Sequence, residues 1–520
     1  MFVIFGKYLE KRQRMKKRLL LVLLAVLMLA TLFGACGDSN DPAESTPAPT
    51  ADSTTSAPDS QPSKTTPSET DDPFDLSQSS TWTDEQWLAY EQQLDFDGRT
   101  FMLSVDRNDR TPFLEDGQVK EDAVGQEQFE VWTQLEEDLN IHIEYMDAVG
   151  DSTQALTWTV SGDNPADFYE IKTHTWFPVY AAGGLVALNS EEILSAGLDV
   201  NNEKLLYQPF THAWDINGDT YGVRYASKFL PPEAGWVMFF NKDLVKSVGV
   251  DDLYQVVRDG DWTWDYFLEL AGKLTKDNDG DGQNDTWGLA TGYLGYGEEV
   301  LLSGGKIVDW VDGRLTSLID STEALETYEF LDKVANSGYL CENKEGANAT
   351  YSEGHQMFKS GEVGLLWSEM NRAIRGRSGS TDLGNAEINW GTIPTPKADK
   401  DADYMNVLGG VKYDVMLVTN KDKATSAAIY AAFARRQNDT DIATCLKQYL
   451  QDDDDTDSLD MMENYIFSSP VANWSWCSRE HNDTYRAEVV YKIFDEELSP
   501  ASIVESAKPR LQALLDALNR

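Results

Sequence analysis

The clearest candidate for metal chemistry is an acidic loop at residues 277–285. Its aspartates are Asp277, Asp279, Asp281 and Asp285. Carboxylates at alternate positions, with glycines that let the chain fold back, are what a loop that binds Ca²⁺ through oxygen atoms requires. The twelfth position of such a loop is Gly288 here instead of a glutamate that would supply two oxygens. A structural Ca²⁺ and an acidic turn without an ion therefore fit the residues equally well, and we expect no other cofactor.

The motifs of several common hydrolases and metal sites are missing from the sequence. The chain contains no Gly-x-Ser-x-Gly elbow and no His-Glu-x-x-His motif, and no pair of its four cysteines has the spacing of zinc ligands. An enzyme that cleaves glycosidic bonds needs only two carboxylates, roughly 5–10 Å apart. Because 88 acidic residues leave room for such a pair, a secreted carbohydrate-active enzyme stays as an alternative function.

The chain is long and strongly acidic. It has 520 residues, with 43 Lys and Arg against 88 Asp and Glu, for a net charge of −45. This length predicts two or three folded units, since a domain usually has about 100–200 residues. A surface this negative repels the phosphates of nucleic acids and anionic lipid head groups, so we expect neither as a direct partner.

The first 35 residues have the features of an export signal. Basic residues at 16–18 precede an apolar run at 19–30, and small residues follow it up to Cys36. This order resembles the lipobox of bacterial lipoproteins, with Phe33 at a position where leucine is usual. The resemblance implies that Cys36 carries lipid and becomes the mature N-terminus. An uncleaved membrane anchor is the alternative, although a spanning helix needs roughly 20 apolar residues.

Residues 36–81 predict a disordered tether. Serine, threonine, proline, alanine and aspartate dominate the segment, and Phe74 is its one aromatic residue. Such a composition buries too little apolar surface to offset the entropy lost on folding. The tether would hold the folded part away from the membrane.

Strand and helix patterns alternate after residue 96. Residues 100–105, 141–145 and 166–171 predict strands, and apolar residues at helical spacing over 129–139 predict a helix after the first of them. This order indicates a parallel α/β sheet. Ligands of such sheets bind at the carboxyl ends of the strands, and His174 and Trp176 follow directly after the third strand.

The stretch at 217–241 predicts a crossing between two lobes. Two extended segments lie on either side of Pro231 and Pro232, with Tyr225 in the first segment and Trp236 in the second. The prolines would stiffen the second half of the crossing. A cleft between lobes is a favoured place for a small ligand.

Four segments resemble one family of bacterial transport proteins. Residues 217–223, 239–244, 262–267 and 358–367 are similar, in this order, to motifs of the family 1 extracellular solute-binding proteins of ABC importers, the group that includes the maltose-binding protein. The resemblance covers roughly residues 98–520. It implies an α/β, two-lobed periplasmic-binding-protein-like fold with interlobe hinge strands and a central ligand cleft. Mapped onto this chain, lobe 1 is 96–222 and 412–452, and lobe 2 is 223–411 and 453–520.

The resemblance also implies where a ligand would bind. Sugar sites combine flat aromatic rings with polar side chains that bind hydroxyl groups. The predicted aromatic residues are Trp176, Tyr225, Trp236, Trp367, Trp474 and Trp476, with ordinary core packing as the alternative for each tryptophan. The polar candidates are Glu170, His174, Glu369 and Asn371. Gly409 and Gly410 would either let the backbone approach the ligand or form a hinge turn.

The function that these observations favour is capture without catalysis. We expect a monomeric, lipid-anchored receptor on the extracellular face of the cytoplasmic membrane, which binds a carbohydrate, most simply an oligosaccharide, and delivers it to the permease subunits of an ABC transporter. Two alternatives to this function remain. One is the carbohydrate-active enzyme named above, and the other is a binding protein for a peptide or another non-sugar solute.

Overall fold

The computed structural model describes residues 74–519 with short gaps, all within the compact unit Asp72–Arg520. The gaps are residues 107–109, 115–116, 122, 228, 230–234, 292–296, 342–346, 376–378, 439–440 and 496–497. The predicted signal at 1–35, Cys36, most of the tether, and Pro231 with Pro232 therefore lie outside the described residues. Within the described ranges, no helix is both long enough and apolar enough to cross a membrane.

The strands fall into two larger sheets and two small ones. In chain order they are β1 (Arg99–Val105), β2 (Ile141–Asp147), β3 (Phe168–Lys172), β4 (Trp236–Asn241), β5 (Trp287–Thr291), β6 (Val308–Val311), β7 (Arg314–Ser317), β8 (Val363–Glu369), β9 (Trp390–Ile393), β10 (Asn406–Leu408), β11 (Lys412–Val415) and β12 (Pro470–Ala472).

Helices surround these sheets and connect their strands. The α-helices span Asp84–Glu91, Ala123–Leu139, Ser152–Ser161, Thr173–Ala181, Glu191–Leu194, Gln208–Thr211, Lys242–Ser247, Leu253–Arg258, Trp264–Leu274, Glu299–Leu302, Thr322–Asn336, Ala347–Lys359, Lys423–Gln437, Ile442–Leu446, Thr456–Met461, Arg479–Tyr485, Tyr491–Asp495 and Pro500–Leu518.

The first lobe is built on the sheet β11-β3-β1-β2. Strands β1, β2 and β3 run parallel, as the sequence predicts, and β11 is antiparallel to β3. The helix Ala123–Leu139 buries Trp132, Leu135 and Leu139 in the core of this lobe. It ends where Asn140 adopts a φ of 49°, a left-handed conformation that asparagine tolerates better than most residues.

The second lobe is built on the sheet β5-β8-β4-β9. Strand β4 is buried along its whole length and lies in the interior of the sheet, between β8 and β9. The helix Trp264–Leu274 begins where the Thr263 side chain accepts a hydrogen bond from the backbone N–H of Tyr266. Its buried face includes Phe267, which lies 6.0 Å from the ring of Trp367 on β8.

The chain crosses between the lobes at positions that differ from the predicted boundaries. Val223 and Asp414 exchange two backbone hydrogen bonds of 3.0 Å, and Tyr225 is buried in the core of the first lobe, so the first crossing follows residue 225 instead of residue 222. The segment 442–451, predicted in lobe 1, packs on the second lobe. There the N–H of Arg375 donates to Gln448, and the N–H of Trp390 donates to the side chain of Gln451.

Order also begins earlier than the predicted end of the tether at residue 81. Residues Leu76–Thr81 form a 3₁₀ helix that is capped by the side chain of Asp75. Phe74 packs against Trp82 and Tyr90, with ring centroids 5.7 and 5.8 Å apart. The apolar contacts of this one aromatic residue explain why the end of a polar segment is ordered.

Candidate functional site

A cavity of about 610 Å³ lies where the ends of β3 and β8 meet the starts of β4 and β11. The first lobe contributes residues from β3 and β11, and the second lobe contributes Trp236 and Glu369, which pair in register across β4 and β8. The charged and aromatic residues that line it are Asp106, Glu170, Lys172, His174, Trp236, Glu298, Glu369, Lys412, Trp476, Arg479, Asp483 and Arg486.

Six of the ten predicted ligand-binding residues lie in this cavity. They are Glu170, His174, Trp236, Glu369, Asn371 and Trp476. Because they come from segments far apart in the sequence, only the fold brings them together.

Trp176 and Trp367 do not line the cavity, and their prediction as cleft aromatics is corrected here. Trp176 follows His174 by two positions on one helix, a rotation of about 200° that turns it away from the cavity. It packs against Trp214 in the core instead. Trp367 lies under the helix Trp264–Leu274, whereas Glu369, two residues later on β8, reaches the cavity. Both tryptophans are 1% exposed.

Tyr225 and Trp474 are also packed away from the cavity, which corrects two further predictions. The hydroxyl of Tyr225 lies 2.5 Å from a nitrogen of Arg110, within the first lobe. The ring of Trp474 lies 4.8 Å from that of Trp214 and 5.7 Å from that of Trp310. Both residues therefore contribute to packing beside the cavity.

A buried ion network forms the first-lobe wall of the cavity. Arg110 donates to Glu170 at 3.1 Å and to both oxygens of Asp414 at 2.8 and 2.9 Å. Lys412 lies 3.1 Å from the second oxygen of Glu170. Burial alone would raise the pKa of Glu170, but Arg110 and Lys412 outweigh burial and lower this pKa to about 2. Glu170 is thus a fixed negative charge at neutral pH.

Nδ1 of His174 and Oδ1 of Asn371 are buried polar atoms of cavity residues, and neither has a hydrogen-bond partner among the described residues. Burial, assisted by Lys172 and Arg479, lowers the pKa of His174 to about 4, so the ring is neutral at pH 7 and offers one donor and one acceptor. Because an unpaired buried polar group costs about 1–3 kcal/mol, both atoms favour a solute that binds them.

Glu298 is a cavity residue that the sequence did not reveal. It is 3% exposed, and its Oε1 accepts hydrogen bonds of 3.3 Å from Nδ2 of Asn473 and Nε1 of Trp476. Burial, and then the nearby Glu299 and Glu369, raise the pKa of Glu298 to about 8. No sequence motif distinguishes Glu298 from Glu299, the neighbouring glutamate, which does not line the cavity.

Gly409 makes room for this carboxyl group. A Cβ atom at Gly409 would lie 2.1 Å from Oε1 of Glu298 and 2.8 Å from Nε1 of Trp476, distances that no real Cβ tolerates. At Gly410 the nearest atoms would be those of the Trp476 ring, at 3.4 Å. The glycine pair thus lets side chains of the cavity wall approach the backbone.

The acidic loop lies between the helix Trp264–Leu274 and β5 and does not line the cavity. Carboxylate oxygens of Asp277, Asp279 and Asp285 lie within 4.8 Å of one another. Asp281, the fourth predicted ligand, is not in this group, and its carboxylate accepts from the backbone N–H of Gln283 at 2.7 Å. Three of the four aspartates predicted as ligands therefore lie close together, and the fourth does not.

Comparison with known proteins identifies a family and a set of similar folds. A family model described as bacterial extracellular solute-binding protein matches residues 115–434, more than half of the chain. The sugar-binding protein MalE from Xanthomonas citri is 13% identical with a TM-score of 0.57, covering 80% of this chain and 98% of its own. A search of curated proteins gives no match.

Two further solved structures have the same fold. An ABC substrate-binding protein from Listeria monocytogenes in complex with cycloalternan is 16% identical with a TM-score of 0.53, covering 81% of this chain and all of its own. UgpB from Mycobacterium tuberculosis, in complex with glycerophosphocholine, is 16% identical with a TM-score of 0.52, covering 75% and 94%. At these identities the likeness is one of fold, and it confirms the predicted two-lobed α/β architecture.

The space at Gly409 can be tested by adding a methyl group. Gly409→Ala should force the Glu298 carboxyl away from Trp476 and lower the free energy of unfolding by about 1–3 kcal/mol, as overpacking generally does. Gly410→Ala is the matched control, because its Cβ meets only the Trp476 ring at 3.4 Å. Urea denaturation measures both. Equal stability of the Gly409 variant and the parent would show that the position of the Glu298 carboxyl group does not require a glycine at residue 409.

Proposed function

The chain belongs to the bacterial extracellular solute-binding protein family, and from this premise we propose that it captures a carbohydrate, most simply an oligosaccharide, between its lobes. It then delivers the bound solute, as a monomer, to the permease subunits of an ABC importer. The observation that carries the proposal is the cavity, which two lobes line with indole rings and with buried polar atoms that lack protein partners.

The chemistry of the cavity suits a sugar. A sugar presents polar hydroxyl edges and apolar C–H faces, so that indole side chains and neutral hydrogen-bonding groups bind it together. Trp236 and Trp476 supply the indoles, and His174 and Asn371 supply the neutral groups. The volume of about 610 Å³ lies within the range of roughly 300–1,000 Å³ that is usual for small-molecule sites.

Capture by two lobes requires no chemical reaction. A solute that contacts both lobes stabilises the closed form only by its higher affinity for that form. The permease would then recognise the closed form. The crossing after Tyr225 is a connection that would bend. The proposed stiffening by Pro231 and Pro232 concerns residues outside the described part.

The ligands of similar structures support a carbohydrate. The Listeria protein is in complex with cycloalternan, and the Xanthomonas protein is named as sugar-binding. UgpB is in complex with glycerophosphocholine, which keeps a non-sugar solute as an alternative. A secreted carbohydrate-active enzyme is the other alternative, although this family consists of binding proteins.

A thermal-shift screen of the full chain against mono- and oligosaccharides tests the proposal. A bound sugar at about 100 times its Kd should add about 2.7 kcal/mol to the free energy of unfolding and raise Tm, with no release of reducing ends. His174→Ala should weaken this effect, because the ligand loses one hydrogen-bonding group, whereas the exposed His142→Ala should not. Release of reducing ends would favour the enzyme, and stabilisation by peptides alone would favour the other alternative.

A lipid anchor at Cys36 is part of the proposal, and membership of an extracellular family supports a location outside the cytoplasm. Replacement of Cys36 by serine removes the thiol that would carry the lipid. The variant should appear in the culture medium, while the parent stays in the membrane fraction, as immunoblotting would show. Retention of the variant in the membrane would point to an uncleaved apolar anchor instead.

A structural Ca²⁺ in the acidic loop is a further part of the proposal. Added Ca²⁺ should raise Tm and a chelator should reverse the change, because an ion that binds only the folded form stabilises it. Asp277→Asn should abolish the shift, since Asp277 belongs to the group of converging carboxylates, whereas Asp281→Asn should keep it. If neither Ca²⁺ nor the chelator changes Tm, the loop is an acidic turn that binds no ion.

A further inference from the structure

The buried carboxyl group of Glu298 gives the cavity a property that neutral sugars do not exploit. We propose that the cavity takes a carbohydrate with a positively charged amino group, and that Glu298 binds this group beside the indoles of Trp236 and Trp476. The inference rests on the proposed role of the cavity as a carbohydrate site and narrows its ligand to an amino sugar.

One oxygen of the Glu298 carboxyl group is held by the protein and the other is not. Both donors, Asn473 and Trp476, bind Oε1. None of the residues that the structure describes forms a hydrogen bond to Oε2, although the side chain is 3% exposed and borders the cavity. A solute in the cavity can therefore reach an oxygen that still has its full hydrogen-bonding capacity.

Negative charge near Glu298 comes from Glu369, at the end of β8, which disfavours the ionised form of Glu298. Glu299, which follows Glu298 in the chain, is itself protonated at pH 6, because burial raises its pKa to about 8. The four cations that line the cavity have other neighbours: Lys412 binds Glu170 and Asp106, and Lys172 and Arg479 act on His174. The fourth, Arg486, lies 3.9 Å from Asp483. The potential at Glu298 therefore attracts a cation and repels an anion.

Two indole side chains line the same cavity as Glu298. Nε1 of Trp476 contacts the Glu298 carboxyl group, and Trp236 pairs in register with Glu369 on the neighbouring strand. A carboxylate combined with aromatic rings is a favourable environment for an ammonium group, which only donates hydrogen bonds and is attracted to the faces of the rings. A sugar hydroxyl can also donate to the carboxylate, but it carries no net charge and therefore gains less from the negative potential than an ammonium group does.

Binding of the ammonium group has a defined proton balance. Without a cation, burial keeps the carboxyl group of Glu298 protonated below its pKa of about 8. A bound ammonium group compensates the negative charge, so the carboxyl group ionises and its proton passes to the buffer. No covalent bond other than this O–H bond is broken. A neutral ligand that accepts a hydrogen bond from the protonated carboxyl group would release no proton.

Calorimetry with matched trisaccharides tests the inference on the full chain. The probes are the trimer of glucosamine, the trimer of N-acetylglucosamine and maltotriose, at pH 6, where the amine and Glu298 both hold their protons. The glucosamine trimer should bind at least about tenfold more tightly than either neutral trimer. Titration in two buffers of different ionisation enthalpy should show the release of about one proton per bound trimer.

Two variants distinguish the effect of the Glu298 carboxyl group from that of its surroundings. Glu298→Gln should remove the preference for the amine and the proton release, because the amide keeps the size of the side chain but cannot ionise. Glu299→Gln is the matched control, since this neighbouring buried glutamate does not line the cavity. It should keep both the preference and the proton release.

The outcomes distinguish this inference from the proposed function. Equal or tighter binding of a neutral trimer, or no proton release, would overturn the inference and leave a carbohydrate receptor. Binding of tetramethylammonium chloride without binding of any sugar would support the cation site and overturn the carbohydrate function. Failure of all four probes to bind would overturn the amino-sugar inference, while the wider sugar screen would still decide the proposed function.

Discussion

The ion network around Arg110 is the constraint on which the first lobe and its side of the cavity depend. Arg110 joins Glu170 on β3 to Asp414 on β11 and contacts Tyr225 just before the chain leaves the lobe. Since breaking a buried ion pair by removing one partner costs about 3–5 kcal/mol, these segments are held in one arrangement. The same arrangement places β3, and the helix with His174 after it, against the cavity.

Two different electrostatic environments meet in one cavity. Positive charge from Lys172 and Arg479 acts on His174, and negative charge from Glu369 acts on Glu298, so the pKa values of the two groups, which burial already shifts, move further from their ordinary values. Trp476 separates these environments, with its ring 5.5 Å from that of His174 and its Nε1 on Glu298. A solute with hydroxyl groups at one side and an amine at the other would match both.

Most of the fold could be predicted from the sequence, because periodicity and capping residues are local signals. The site could be predicted only in part. The order of the motifs indicated where the chain approaches a cleft, and this placed His174 and Trp236 at the site. The rotation of the helix that buries Trp176 depends on tertiary packing, which local sequence patterns do not contain. The helix Trp264–Leu274 covers Trp367, and this contact likewise depends on the packing of the whole lobe. Glu298 had no signal, since its significance comes from Asn473 and Trp476, far away in the sequence.

The most direct test of the central claim is a crystal structure of the chain with the sugar that stabilises it best. We predict intact sugar between Trp236 and Trp476, in contact with both lobes and with hydrogen bonds to His174 Nδ1 and Asn371 Oδ1. A sugar bound to one lobe alone, a sugar bound outside this cavity, or a cleaved sugar would contradict the account.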